Sequence, residues 1–266
     1  MRERRVAVVV EDDPDVRLLI VQVLEQLGFV VHTAANGLDG VDLVSLHDPV
    51  VTTLDIGMPG IDGFEAARRI RRRSATYLVM VSARATGEDQ LAGYHAGADD
   101  FVAKPFSPRV LRERIESLVR RPCALAPGTT AGEREVTDEL AHGPLRLRPE
   151  ARRAWAAEEE LRLSRGELDL LEVLMRAGSR PISAHRLALA VRGRTEGDLP
   201  EAAVRAAEIR IEQLAGALGH RADGTPRIEH VAGGGYRLAE ADDPRAAFDG
   251  ATRPGASQLA RSAGSA

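Results

Sequence analysis

Five short apolar runs, each leading into a stretch of helical period, fill the first 120 residues of this 266-residue chain. Residues 6–10 are unbroken apolar, the pattern of a strand buried on both faces. Pro14 and Asp15 open a helix whose Val16, Leu19, Ile20, Val23, Leu24 and Leu27 share one stripe, and Gly28 stops it. Further strands read at 29–33, 49–54, 77–81 and 100–103, with helices between them near 38–46, 63–73, 88–96 and 108–119. Such alternation admits few folds. It predicts an α/β domain built on a five-stranded parallel sheet, doubly wound with helices on both faces.

In sheets of that kind the site lies beyond the carboxyl ends of the strands. Glu11, Asp12 and Asp13 follow the first strand, Asp55 the third, Ser82 the fourth and Lys104 the fifth. Lys104 is the chain's one lysine; the other 35 basic residues are arginine. An ammonium is a compact point charge that a planar guanidinium fork does not replace in a tight site. Three carboxylates on one rim repel one another unless a cation joins them. Mg²⁺, which takes a few carboxylate oxygens and keeps several waters, is the economical solution. Asp12 and Asp55 then serve as direct ligands, Glu11 directly or through water, and the Gly57 carbonyl fills another position. Asp55 becomes a nucleophile toward a phosphoryl group. The metal and Lys104 neutralise the transferred oxygens, and the Ser82 hydroxyl donates to one of them.

Composition narrows the class further. The hydrophobic fraction of 44% is that of a soluble globular protein, and no run of eighteen apolar residues exists to span a membrane. The start, residues 1–5, does not read as a signal peptide. A single cysteine, Cys123, excludes an internal disulfide and fits a reducing, cytoplasmic setting. With a net charge of −4 there is no bulk basic excess to announce a nucleic-acid binder.

Residues 122–139 are rich in Ala, Gly, Pro and Thr and read as a flexible linker. Beyond it, strand-like pieces at 144–147, 153–156 and 160–163 precede a helix from Ser164, where Ser164 and Glu167 form a capping box. Helices near 184–191 and 200–218 follow, then a hairpin around Gly233-Gly234-Gly235. This order suits an α+β winged helix-turn-helix over 140–240, and 241–266 reads as a disordered tail.

Taken in order, Val8-Val9-Val10-Glu11-Asp12-Asp13, Asp55-Ile56-Gly57-Met58-Pro59-Gly60, Val79-Met80-Val81-Ser82-Ala83 and Gly97-Ala98-Asp99-Asp100-Phe101-Val102-Ala103-Lys104-Pro105-Phe106 resemble the receiver domain of bacterial response regulators. The resemblance implies that residues 1–121 form that domain, with a flavodoxin-like sheet. The resemblance implies Asp55 as phosphoacceptor, Glu11 and Asp12 as metal binders, Ser82 and Phe101 as the switch pair, and Lys104 as the phosphoryl contact before a cis bond to Pro105. It implies that Phe101 turns inward on phosphorylation. It also implies self-phosphorylation and dephosphorylation chemistry at Asp55 but no other enzymatic activity. Leu163-Ser164-Arg165-Gly166-Glu167-Leu168 and Gly234-Gly235-Tyr236-Arg237 resemble the winged helix of the OmpR/PhoB family.

That family implies a transcription regulator phosphorylated by a sensor histidine kinase. Its dimer binds promoter DNA through the helix near 200–218 in the major groove. Arg205, Arg210, Gln213 and Arg237 are the expected DNA contacts, Asp99, Asp100, Arg114 and Arg121 the expected homodimer face, and RNA polymerase a further partner. The chain departs from the family at Ala215-Gly216-Ala217-Leu218, where basic residues are usual, and at Arg192, where tryptophan is common. Residues 140–240 hold 16 arginines against 15 acidic residues, so counterion release contributes little affinity. A second reading follows: a protein-interaction switch whose winged helix no longer reads DNA. A haloacid-dehalogenase phosphatase is set aside because Gly57 stands where its second acid is needed. A dinucleotide-binding fold is set aside because acids replace the Gly-rich loop.

Overall fold

The computed structural model describes residues 5–83, 86–120, 139–192, 194, 197–221, 223–232 and 234–240. Arg121, the tail and all of the expected linker except Glu139 lie outside the described residues.

Strands β1 (Arg5–Val10), β2 (Phe29–Ala34), β3 (Val51–Asp55), β4 (Tyr77–Ser82) and β5 (Asp100–Ala103) form one parallel sheet in the order β2-β1-β3-β4-β5. The unbroken apolar runs divide by the two-residue period of a strand. Val8, Val10, Leu54, Leu78 and Met80 face one side and pack on α2 (Gly37–His47), α3 (Gly63–Arg71) and α4 (Gly87–His95). Ala7, Val9, Val51, Val79 and Val81 face the other, against α1 (Pro14–Gln26) and α5 (Pro108–Val119). Both faces are therefore covered; β3 still buries Thr52, bonded to the Thr76 hydroxyl at 3.0 Å, and Thr53, while Glu11, Asp55, Ser82 and Lys104 gather at the strands' carboxyl ends.

Local chemistry sets the helix starts. Asp13 caps α1, accepting from the amides of Asp15 and Val16 at 2.9 and 3.1 Å, with Pro14 in the first turn. Those backbone bonds hold the Asp13 carboxyl below its ordinary pKa. The third acid of the cluster after β1 is thus a cap and not a metal ligand. Gly63 opens α3 so close to β3 that a Cβ there would stand 2.4 Å from the Asp55 carbonyl oxygen. Only glycine lets that helix begin against the nucleophile's backbone.

The second domain opens on an antiparallel sheet, β6 (Leu140–His142), β7 (Leu145–Arg148), β8 (Arg153–Ala156) and β9 (Glu159–Leu161). Strand β6 has no counterpart in the sequence pattern: three residues are too few for a visible alternation, and its pairing of Leu140 with Leu147 defines it. Helices α6 (Arg165–Ala177), α7 (Ala184–Ala190) and α8 (Glu201–Leu218) follow, and β10 (Ile228–His230) with β11 (Tyr236–Leu238) forms the wing. The capping box forms, Ser164 N donating to Glu167 at 2.7 Å and Glu167 N to Ser164 Oγ at 3.2 Å. Leu170, Leu171, Leu174, Leu187, Leu214 and Leu238 meet in the core of this domain.

Candidate functional site

The turns after β1, β3 and β5 bring Glu11, Asp55 and Lys104 together. Lys104 Nζ lies 2.7 Å from Glu11 Oε1 and 3.1 Å from Asp55 Oδ2, and the Lys104–Pro105 bond is cis. Asp55 Oδ1 accepts from the Gly57 amide at 3.3 Å. Ser82, the last residue of β4, is buried at the strand end, paired in register with Ala103 of β5. Arg17, absent from the sequence-based site, donates from Nη1 to the Glu11 carbonyl at 2.7 Å and to that of Asp12 at 3.2 Å. It fixes the acidic turn from α1, and its one sequence signal is its place one helical turn after the cap, Asp13.

Burial is the largest influence on both partners of the Lys104–Glu11 bond. It pushes the Glu11 carboxyl up, and Lys104 opposes this only in part. It would push Lys104 down, but the hydrogen bonds to Glu11 and Asp55 outweigh it and hold the ammonium above its ordinary value. Glu11 Oε2 is buried with no hydrogen-bond partner within bonding distance. One carboxylate oxygen each from Glu11, Asp12 and Asp55 lie within 4.8 Å of one another, and Asp12 is exposed to solvent. An orphaned buried oxygen among hard donors on an open rim fits a divalent cation.

Phe101 lies inward, in the core beneath α4. The inward position expected only after phosphorylation is therefore already occupied. Gly93 makes room for it: a Cβ there would meet Met80 Sδ at 2.8 Å and the Phe101 ring at 3.7 Å. The next residue of α4, Tyr94, offers its carbonyl to the second domain.

The residues expected at DNA and at a dimer face are largely engaged elsewhere. Helix α8 packs on α4, and its Ala206 and Ile209 join the core of the first domain. Arg210 is buried, donating from Nη2 to the Ala98 carbonyl at 3.2 Å and pairing with Asp99 Oδ1 at 3.2 Å. Gln213 Nε2 donates to the Tyr94 carbonyl at 3.2 Å. The reading of Arg210 and Gln213 as DNA contacts therefore does not describe this state, because both side chains are spent on the first domain. Arg205 is exposed and pairs with Glu208 at 2.8 Å, one turn along α8. Arg237, on the wing, pairs across the hairpin with Glu229 at 2.8 Å. Asp99 also binds Arg71 of its own domain and accepts from Leu78 N at 2.8 Å, while Asp100 pairs with Arg114 at 3.1 Å. As a dimer face, Asp99, Asp100 and Arg114 are thus internally paired here.

Further contacts close the seam. The Arg165 amide donates to the Ala75 carbonyl at 2.8 Å. The Tyr77 hydroxyl donates to Asp169 at 2.5 Å and lies 2.9 Å from Arg152 Nη2, and Asp169 in turn pairs with Arg152. Burial pushes the Asp169 carboxyl up to about 6, although Arg152 and Tyr77 pull it down. Gly166 stands where a Cβ would meet Asp99 Oδ1 at 2.2 Å. Arg192 is buried with Nη2 unpartnered, and burial holds its pKa below the ordinary value although Asp100 opposes the fall. Arg192, where the family resemblance leads one to expect tryptophan, and the base-free Ala215-Gly216-Ala217-Leu218 of α8 are the sequence signs that this surface is not an ordinary one.

A doubly wound domain with a lysine-clamped aspartate, joined to a winged helix, defines a receiver coupled to an effector. Residues 7–116 match the model of the response regulator receiver domain, and residues 158–238 that of the transcriptional regulatory protein C-terminal domain. The chain is 36% identical over 231 residues to the transcriptional regulatory protein TcrA of Mycobacterium tuberculosis, covering 86% of this chain and 85% of that protein. It is 38% identical over 178 residues to the transcriptional regulatory protein AfsQ1 of Streptomyces coelicolor, covering 67% and 75%. A solved structure of a RitR mutant, at 18% identity and a TM-score of 0.66, covers 89% of this chain and 99% of that one, and shares the fold. The chain belongs to the OmpR/PhoB family of two-component response regulators. It is a transcription regulator; the alternative of a protein-interaction switch finds no support. Among the described residues no helix is long and apolar enough to cross a membrane.

Proposed function

We propose that this regulator rests in a closed form with α8 held on the receiver, and that phosphorylation of Asp55 releases α8 to promoter DNA. The observation that carries the reading is the burial of Arg210 against Asp99, which withholds the recognition helix. A sensor histidine kinase supplies the phosphoryl group. An Asp55 carboxylate oxygen forms the new bond to phosphorus as the bond to the kinase's imidazole nitrogen breaks, and water later cleaves the acyl phosphate. Glu11, Asp12, Asp55 and the Gly57 carbonyl would hold Mg²⁺, which when bound neutralises charge on the phosphoryl oxygens. Lys104 breaks its bond to Asp55 Oδ2 and follows the incoming oxygens, and Ser82 donates to one of them. Apart from this self-directed chemistry the protein is not an enzyme.

The route to α8 is short. Ser82 ends β4 beside β5, Phe101 of β5 lies beneath α4 at Gly93, and the adjoining Tyr94 holds Gln213. Asp99, two residues before Phe101, holds Arg210. A shift of α4 and β5 toward the phosphoryl group therefore acts on both latches at once, a population shift between two packings. Opening frees Arg210 and Gln213 to join Arg205 and Arg237 at DNA. It frees Asp99 to form a homodimer face with Asp100, Arg114 and Arg121, and the DNA-bound dimer contacts RNA polymerase in the cytoplasm.

The test is selection from a randomised duplex DNA pool by the full-length protein with Mg²⁺, with and without beryllium fluoride as phosphoryl mimic. Enrichment of a repeated half-site only with the mimic is expected. Equal enrichment without it would overturn the gating.

A further inference from the structure

The closed seam encloses a cleft of about 720 Å³ between the end of α3, the end of α4 and the turn from β9 into α6. Its walls carry seven arginines and one histidine against three carboxylates. The carboxylates are already committed: Asp99 to Arg71 and Arg210, Glu160 to Arg153, and Glu167 to the capping box. Arg72, Arg73 and Arg162 line the same cleft, are exposed to its solvent, and make no salt bridge among the described residues. They come from both domains, two from the receiver and one from the effector. Immediately behind Ser164, the half-buried Arg165 guanidinium has its Nε enclosed and unpartnered, and burial and the charge of Arg152 hold its pKa below the ordinary value.

We infer that this cleft is a binding site for a small oligophosphate, an anion carrying two or more linked phosphate groups. Guanidinium forks match phosphate oxygens in bidentate geometry, which makes Arg72, Arg73 and Arg162 suited to that class. A concave basic surface between low-dielectric walls concentrates the field on an anion more than a flat one does. The α6 N-terminus, which opens at Ser164 on the cleft wall, adds positive potential. Because the wall is built from both domains, the ligand would favour the closed form. By linkage it would weaken DNA binding by the factor by which DNA weakens it. The inference rests on the closed resting form proposed above.

The experiment is titration calorimetry of the full-length protein with inorganic tripolyphosphate in the absence of Mg²⁺, paired with small-angle scattering to read closure independently. Saturable binding is expected, unchanged in Asp55→Asn, which excludes the receiver site as its location. Arg72→Ala/Arg73→Ala/Arg162→Ala should weaken binding by about tenfold or more, and the matching triple Lys variant by less, since it keeps charge and loses the fork. Equal weakening by Arg109→Ala/Arg112→Ala/Arg120→Ala on and beside α5 would mean diffuse attraction and would overturn the site. So would absence of binding by a protein whose scattering is compact, which leaves the closed form standing. Scattering that shows separated domains overturns the closed form and the cleft with it.

Discussion

Gly166 and Asp99 approach so closely across the seam that a single added carbon on the glycine would lie 2.2 Å from the carboxylate oxygen that holds Arg210. The contact of two domains is thereby tied to one missing methyl group.

Gly166→Ala is expected to open the resting form. The carboxylate cannot yield freely, because Asp99 is fixed by Arg71 and by Leu78 N. Overpacking of this kind costs on the order of 1–3 kcal/mol. Scattering should show a more extended particle, and DNA binding should no longer need a phosphoryl mimic. An unchanged particle would show that the helix start yields instead.

Arg210→Ala removes one partner of a buried pair while Asp99 keeps Arg71. The loss should fall mainly on docking, by up to a few kcal/mol, and little on the receiver itself. Limited proteolysis before and after the substitution reads this directly: faster cleavage between 121 and 138 is expected, with the receiver fragment still resistant.

Asp55→Asn should abolish phosphoryl labelling from a small-molecule phosphodonor. Full labelling of that variant would remove the site assignment. Lys104→Arg should keep part of the labelling and lose the mimic-dependent DNA binding, because the fork does not fit where an ammonium lies 2.7 and 3.1 Å from two carboxylate oxygens.

The raised Asp169 carboxyl makes the stability of the folded protein depend on pH. Its folded pKa of about 6 lies above the ordinary value of 3.8 that it regains on unfolding, so the folded protein binds more protons between those limits. The stability it contributes is fully present below the unfolded value and is lost as pH rises through the folded one, an effect on the order of 3 kcal/mol. Asp169→Asn should flatten that component of the stability profile in urea unfolding between about pH 4 and pH 6.5. An unchanged profile would locate the titration elsewhere.

The receiver is legible in the sequence because its chemistry lies at strand ends, and strand ends can be read from where apolar runs stop. The run 8–10 stops at Glu11, and Leu54 gives way to Asp55, so the site follows from periodicity and residue type. The seam is not legible, because Asp99, Tyr77, Gly166 and Arg210 each have an ordinary local role. Arg210 on an amphipathic helix looks like a phosphate contact, and Gly166 looks like one residue of a helix start. What joins them is a docking between positions 99 and 210, too far apart in the chain to leave a local period. Likewise Asp13 reads as one more member of an acidic cluster until the amides of α1 are seen to claim it.

Asp99 has two oxygens and already serves two arginines. Asp99 is also buried beneath α8, so on the proposed reading a second copy would reach that carboxylate only once Arg210 has left it, and self-association and closure would exclude one another. If the proposed closed form and homodimer hold, mass action would be an input alongside phosphorylation: a cell that accumulates enough of this protein would switch part of it on with no kinase signal at all.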